Sequence, residues 1–113
     1  MPAQSTDSCS WCGTAIERED GWRAQEVLGA RKVAFCWLEH IVFWNFRGAY
    51  WEAGEIDEPR GLTDSIDVCA HCGEPLGDVQ VVLVRHRGEH RIPDAFCSAD
   101  HMAEWAKAGG RWV

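Results

Sequence analysis

The chain has 113 residues, with eleven Lys and Arg against eighteen Asp and Glu, a formal charge of −7, six Cys and seven Trp. That length allows one small domain, or two modules each too small to stand on apolar burial alone. An acidic chain is a poor general binder of phosphate backbones.

The opening residues, MPAQSTDS, lack the basic-then-apolar order of a secretory leader. The longest apolar stretch, from Phe35 to Phe46, is broken by Glu39, His40 and Asn45 and is too short to span a membrane. A soluble, cytoplasmic protein is expected, and in a reducing compartment six cysteines point to metal rather than disulfides.

An internal repeat organises the chain. Cys9 and Cys12 in CSWCG recur as Cys69 and Cys72 in CAHCG, 60 residues on. Ala34-Phe35-Cys36 recurs as Ala95-Phe96-Cys97 at an offset of 61, and so do His40 as His101, Trp44 as Trp105 and Trp51 as Trp112. One residue is therefore inserted in the second copy between Leu76 and Ala95. The repeat divides the chain into a first module at 1–52, an acidic linker at 53–67 and a second module at 68–113.

In chain order, the first CxxCG reads as a tight metal-binding turn with Gly13 supplying backbone freedom. A hairpin follows, from Trp22 to Leu28, turning at Gly29-Ala30 and returning from Arg31 to Phe35. A helix then opens at Cys36 and carries His40 one turn later. The linker, AGEIDEPRGLTDSID, has no helical or alternating period and reads as solvated, with Ile56 or Leu62 able to pin it to a module.

The second copy repeats the order. After CAHCG comes a strong strand from Val79 to His86, a turn at Arg87-Gly88-Glu89 and a return through Ile92 to Phe96. Pro93 on that return belongs at an edge or a bulge. The last helix, Cys97 to Ala108, stops at Gly109-Gly110.

Each copy thus offers Cys-x2-Cys and Cys-x3-His: three sulfurs and one imidazole. The sets are Cys9, Cys12, Cys36 and His40, then Cys69, Cys72, Cys97 and His101. This is a closed tetrahedral donor set for Zn2+, present twice with no cysteine left over, and a full shell makes the ion's role structural. Residues i and i+4 share a helix face, so Cys36 and His40 can converge on one ion, as can Cys97 and His101. The third Cys at a helix start is also favoured as thiolate.

CSWCG…AFCWLEH and CAHCG…AFCSADHMAEW resemble the FCS, MYM and TRASH group of treble-clef zinc fingers. Phe96-Cys97-Ser98 reproduces the FCS triplet, and Trp105 stands where that group carries a later aromatic. The last ligand departs from the group's commoner Cys by being His in both copies, and copy one has Phe-Cys-Trp. The resemblance implies an α+β fold of two tandem treble-clef-like modules (knuckle, hairpin, helix) and two Zn2+ per chain. Similar fingers serve ribosomal proteins, transcriptional regulators and proposed heavy-metal sensors, so it leaves function open.

Trp44/Trp105 and Trp51/Trp112 repeat and so read as core. Trp11, Trp22 and Trp37 have no aromatic counterpart in copy two, and with Phe43 they form a candidate protein interface. The first helix, CWLEHIVFWNF, is apolar nearly all round and needs a cover, which is either the other module or a second chain. Arg85, Arg87 and Arg91 on the second hairpin form the only basic cluster and are candidate nucleic-acid contacts, although charges there also discourage strand addition. His71, His86 and His90 do not repeat and read as surface histidines.

No catalytic arrangement is found, so the chain is not expected to be an enzyme. Nor is a small-molecule substrate or membrane evident. The leading expectation is a zinc-stabilised module that binds a protein partner or a second copy. Nucleic-acid binding and heavy-metal sensing are the alternatives.

The charge is not evenly spread. Residues 52–67 carry six acidic groups and one Arg, whereas residues 8–51 carry five of each sign. Three thiolates per Zn2+ add −1 at each site, taking the loaded chain to about −9.

Overall fold

A computed structural model describes residues 7–26, 31–54, 56, 66–76 and 80–110. Strand β1 (Asp7–Ser8) pairs antiparallel with β2 (Ala15–Ile16), closing a short ribbon around the first CxxC. A single bridge between Val68 and Pro75 closes the second in the same place. The two hairpins are β3 (Trp22–Glu26) with β4 (Arg31–Phe35), and β6 (Val81–Arg87) with β7 (His90–Phe96). Helices α1 (Leu38–Phe46) and α2 (Ala99–Lys107) follow them.

The linker begins as β5 (Glu52–Ala53), paired with Arg31 and Lys32 at the edge of β4. Ile56 is half-buried, and its N–H donates to the Gln25 side chain at 3.4 Å. The turn at 27–30, Leu62 and Trp112 lie outside the described residues.

The hairpins do not stand apart. They join through β3 and β6 into one antiparallel sheet of order β5-β4-β3-β6-β7. Ala24 faces Leu83 at the centre of this seam, with Trp22 opposite Arg85 and Glu26 opposite Val81. Within the hairpins, Trp22 pairs with Phe35 and Val81 with Phe96, so Trp22 and Val81 are equivalent residues. Ala24 and Leu83 are then equivalent to each other, and an approximate twofold axis passes between them.

Strand pairing also refines the repeat. The first hairpin strands match at an offset of 59 and the second at 61. One residue is lost before the second hairpin and two are gained at its end, where the sequence showed only a net insertion. The extra pair lengthens β6 and β7 to seven residues each. Val81 to Val84 are all buried, so this central strand reads as an unbroken apolar run rather than an alternation. β7 lies at the other edge, where Pro93 costs no ladder bond.

The helices pack on each other and on the sheet. Asn45, late in α1, donates to Asp100, early in α2, at 3.1 Å, as antiparallel helices allow. One core draws on both halves: Phe35, Ile41 and Trp44 from the first, Leu83, Phe96 and Met102 from the second. Trp44 meets Phe35 edge-on at 5.3 Å and Trp105 meets Phe96 at 5.2 Å, so the repeated tryptophans fill equivalent core positions. The other half thus covers part of α1. It leaves Trp37, Phe43, Phe46 and Tyr50 exposed.

Both helices start later than the sequence suggested. Trp37 and Ser98 are extended N-cap residues, which puts Cys36 and Cys97 just before the helix rather than in it. Ser98 Oγ accepts from the His101 N–H at 3.3 Å, whereas Trp37 offers α1 no side-chain cap.

Across the seam, the second hairpin grips the loop before β3. His86 N–H donates to Gly21 O at 2.8 Å and Gly88 N–H to Glu19 O at 2.9 Å. The buried Arg23 guanidinium reaches Asp7 at 2.6 Å and the carbonyls of Glu17 and Asp20. His86 is therefore not a surface histidine: it is buried, and its Nδ1–H donates to Arg18 O at 2.7 Å. Burial pushes its pKa below the usual imidazole value.

Gly21, at φ 78°, sits in this grip, and a Cβ there would meet Phe35 O at 2.6 Å and Ile16 Cγ2 at 2.8 Å. Gly13, at φ 80°, has open space around it. Gly13→Ala is expected to cost about 1–2 kcal/mol, the left-handed backbone penalty alone. Gly21→Ala adds steric conflict with backbone and should cost clearly more. Urea denaturation of the two metal-loaded variants checks the order, and equal losses would contradict it.

Candidate metal centres

Each CxxC turn is fastened to the second strand of its own hairpin. Ser10 N–H donates to Ala34 O at 2.7 Å, and Ala70 N–H to Ala95 O at 2.8 Å. Inside the turns, Gly13 N–H returns to Cys9 O and Gly73 N–H to Cys69 O, both at 2.9 Å. Because Phe35 and Phe96 end those strands, the next residues, Cys36 and Cys97, emerge beside the turn. The first helical turn then swings His40 or His101 over the same point.

All eight predicted ligands are brought together in two groups of four. Cys9, Cys12, Cys36 and His40 lie with their ligand atoms within 4.8 Å of one another, and so do Cys69, Cys72, Cys97 and His101. In the first group Nδ1 of His40 is 3.4 Å from both Cys9 Sγ and Cys36 Sγ, and Cys12 Sγ is 3.5 Å from Cys36 Sγ. In the second, His101 Nδ1 is 3.6 Å from Cys69 Sγ and Cys72 Sγ is 3.7 Å from Cys97 Sγ.

A tetrahedral Zn2+ with ordinary Zn–S and Zn–N bonds has S···S edges of about 3.8 Å and S···N edges of about 3.5 Å. The separations fit that cage and are far beyond the ~2.05 Å of a disulfide bond. Each group could hold one metal ion, with Nδ1 as the imidazole donor.

Before an ion is bound, three sulfurs this close cannot all be charged. The Thr14 hydroxyl, 3.1 Å from Cys12 Sγ, holds that thiol down to about 7. Desolvation, helped by the neighbouring sulfurs, pushes Cys36 up to about 12 and Cys97 to about 11. Cys69 is also desolvated, but backbone N–H groups of Cys72, Cys97 and His71 outweigh this and hold it down to about 6. The helix-start cysteines are therefore the most reluctant thiolates, the reverse of the dipole expectation. The largest cause is desolvation, and the other two sulfurs add to it.

The surroundings of the two sites differ. Trp11 packs on Phe43 at 5.6 Å beside the first, with the Arg47 guanidinium 5.3 Å above the Trp11 ring. Its counterpart His71 lies 5.1 Å from the His101 ring beside the second.

The remaining candidate residues scatter. Trp22 is half-buried between the halves, with Arg85 over its ring at 5.2 Å and Leu83 and Trp105 around it. Trp37 and Phe43 face outward, and Phe46 and Tyr50, not singled out from the sequence, join them. Of the three arginines, Arg85 stacks on Trp22 and Arg91 donates to the Gly88 and His90 carbonyls at 2.9 Å, while Arg87 is exposed. Phe46 and Tyr50 could have been found by aligning the copies, since Lys107 and Arg111 replace them in copy two.

No family model matches the chain, and neither does any curated protein or solved structure. Among the described residues no helix is long and apolar enough to cross a membrane.

Metal binding at pH 7 must take a proton from Cys36 and from Cys97. Titration calorimetry of the metal-free chain with Zn2+, in buffers of different ionisation enthalpy, should therefore show at least one proton released per ion. Affinity should fall as pH falls. Stoichiometry should be two ions per chain, dropping to one in Cys36→Ser; a wild-type value well below two would contradict the assignment.

Proposed function

We propose that this is a small zinc protein of treble-clef type, with two structural Zn2+ ions, which acts without catalysis as a protein-interaction module through the aromatic face of α1. Zinc is favoured by the donor set of three thiolates and one imidazole in tetrahedral array, and a full protein shell favours a structural role. The succession of fastened CxxC turn, hairpin and ligand-bearing helix start supports the treble-clef kinship in each half.

One comparison carries the interaction reading, and the molecule supplies it internally. α1 and α2 have the same length and position in their halves, at a constant offset of 61. On α1 and its flanks the outward residues are Trp37, Phe43, Phe46 and Tyr50, exposed by 67%, 45%, 93% and 73%. Their counterparts are Ser98, Glu104, Lys107 and Arg111. At the first three, the same scaffold position is thus polar in one copy and aromatic in the other, so the fold itself does not require an aromatic there.

At the helix start the aromatic even costs stability. A Ser in place of an uncapped residue contributes about 1 kcal/mol at an N-cap, and Trp37 forgoes it. Aromatic residues are the side chains most enriched at protein-binding surfaces.

Grafting the second copy's residues tests this. The triple variant Trp37→Ser, Phe43→Glu, Phe46→Lys should keep two zinc ions and unfold at or above the wild-type urea midpoint. It should lose the proteins, including tagged copies of the chain itself, that the wild type enriches from its native cell extract. Unchanged enrichment would overturn the proposal.

A further inference from the structure

The occupant of the aromatic face can be read from its charge pattern. Glu39 and Arg47 stand four residues before and four after Phe43, and all three are exposed. Residues spaced by four form one ridge along a helix, the ridge used in the commonest packing of helices on each other. In an antiparallel pair of identical helices centred on Phe43, Glu39 of each copy meets Arg47 of the other, and the two Phe43 rings meet on the axis. Trp37 and Tyr50 flank the ridge at the two ends of the helix. The ridge is therefore complementary to itself.

Resting on the interaction reading above, we infer that the face is a homodimer interface in which α1 packs antiparallel on α1 of a second copy of this chain about a twofold axis at Phe43. Isologous contact is the usual form of a homodimer, and it needs such a self-complementary patch.

Area agrees. Taking large aromatics as burying about 150–250 Å² each, the exposed parts of these four amount to roughly 600 Å² per copy. Roughly 1,200 Å² for the pair reaches the lower end of stable specific interfaces. Residues 8–51 carry five charges of each sign, so with one net negative charge from its zinc site the half that presents the face adds little repulsion between copies. Arg47 keeps its place over Trp11 in this arrangement, because a guanidinium can stack and donate at once.

Sedimentation velocity of the full zinc-loaded chain, over a range of micromolar concentrations, tests the inference. The wild type should dimerise reversibly. Phe43→Glu should weaken the dimer by at least about thirtyfold, the effect of removing a central hot spot. It should still fold, because Glu104 occupies that position on α2, and two bound zinc ions with unchanged far-UV dichroism would confirm this.

Glu39→Arg and Arg47→Glu should each weaken the dimer, and the double exchange should restore it. A wild type monomeric throughout, a dimer indifferent to Phe43→Glu, or a double exchange that restores nothing would overturn the inference. A monomer that still captures another protein through these aromatics sinks the homodimer alone. A monomer that captures nothing sinks the interaction reading as well.

Discussion

Everything in this molecule hangs on two places where three sulfurs and an imidazole are held within one ion's reach. Sulfurs at such spacing resist sharing negative charge. A divalent cation held there would turn that repulsion into cohesion. It would also join two parts of each half that lie far apart in sequence, the CxxC turn and the helix start, with the hairpin clamped between them by Ser10 to Ala34 and Ala70 to Ala95. A half of this size has too little apolar surface to hold that arrangement otherwise.

The second source of cohesion is the seam. Pairing β3 with β6 buries the inner edge of each hairpin in the other, so that among the described residues the edges of this sheet are the short β5 and the Pro93-bearing β7. Aggregation through open strands is thereby limited. The seam also commits side chains that otherwise look functional. Trp22 and Arg85 stack on each other across it, and His86 ties the loop before β3. Copy two's basic hairpin therefore serves the fold at two of its conspicuous positions, Arg85 and His86.

Duplication lets structural and functional demands be separated within one chain. Where both copies carry the same residue, as at Phe35/Phe96 and Trp44/Trp105, the geometry is the same and the role is packing. Where they differ on equivalent surface, as at Trp37/Ser98 and Phe43/Glu104, the same scaffold carries either residue type. The missing N-cap on α1 is the clearest such case.

The sequence by itself determined the eight ligands, the repeat, the hairpins and the end of the second helix at Gly109. All of these are set by local rules: ligand spacing, apolar runs bounded by turn residues, and glycine's tolerance of left-handed backbone. It did not reveal that the helices begin after Cys36 and Cys97, since an extended N-cap residue looks like any other. Nor did it show that the copies fuse through β3 and β6, or that Trp22 and His86 point into that junction. Strand pairing between distant segments leaves no periodic trace, because either edge of a hairpin offers the same backbone donors and acceptors. Only the assembled sheet decided which edge was used, and with it which aromatic residues were left facing outward.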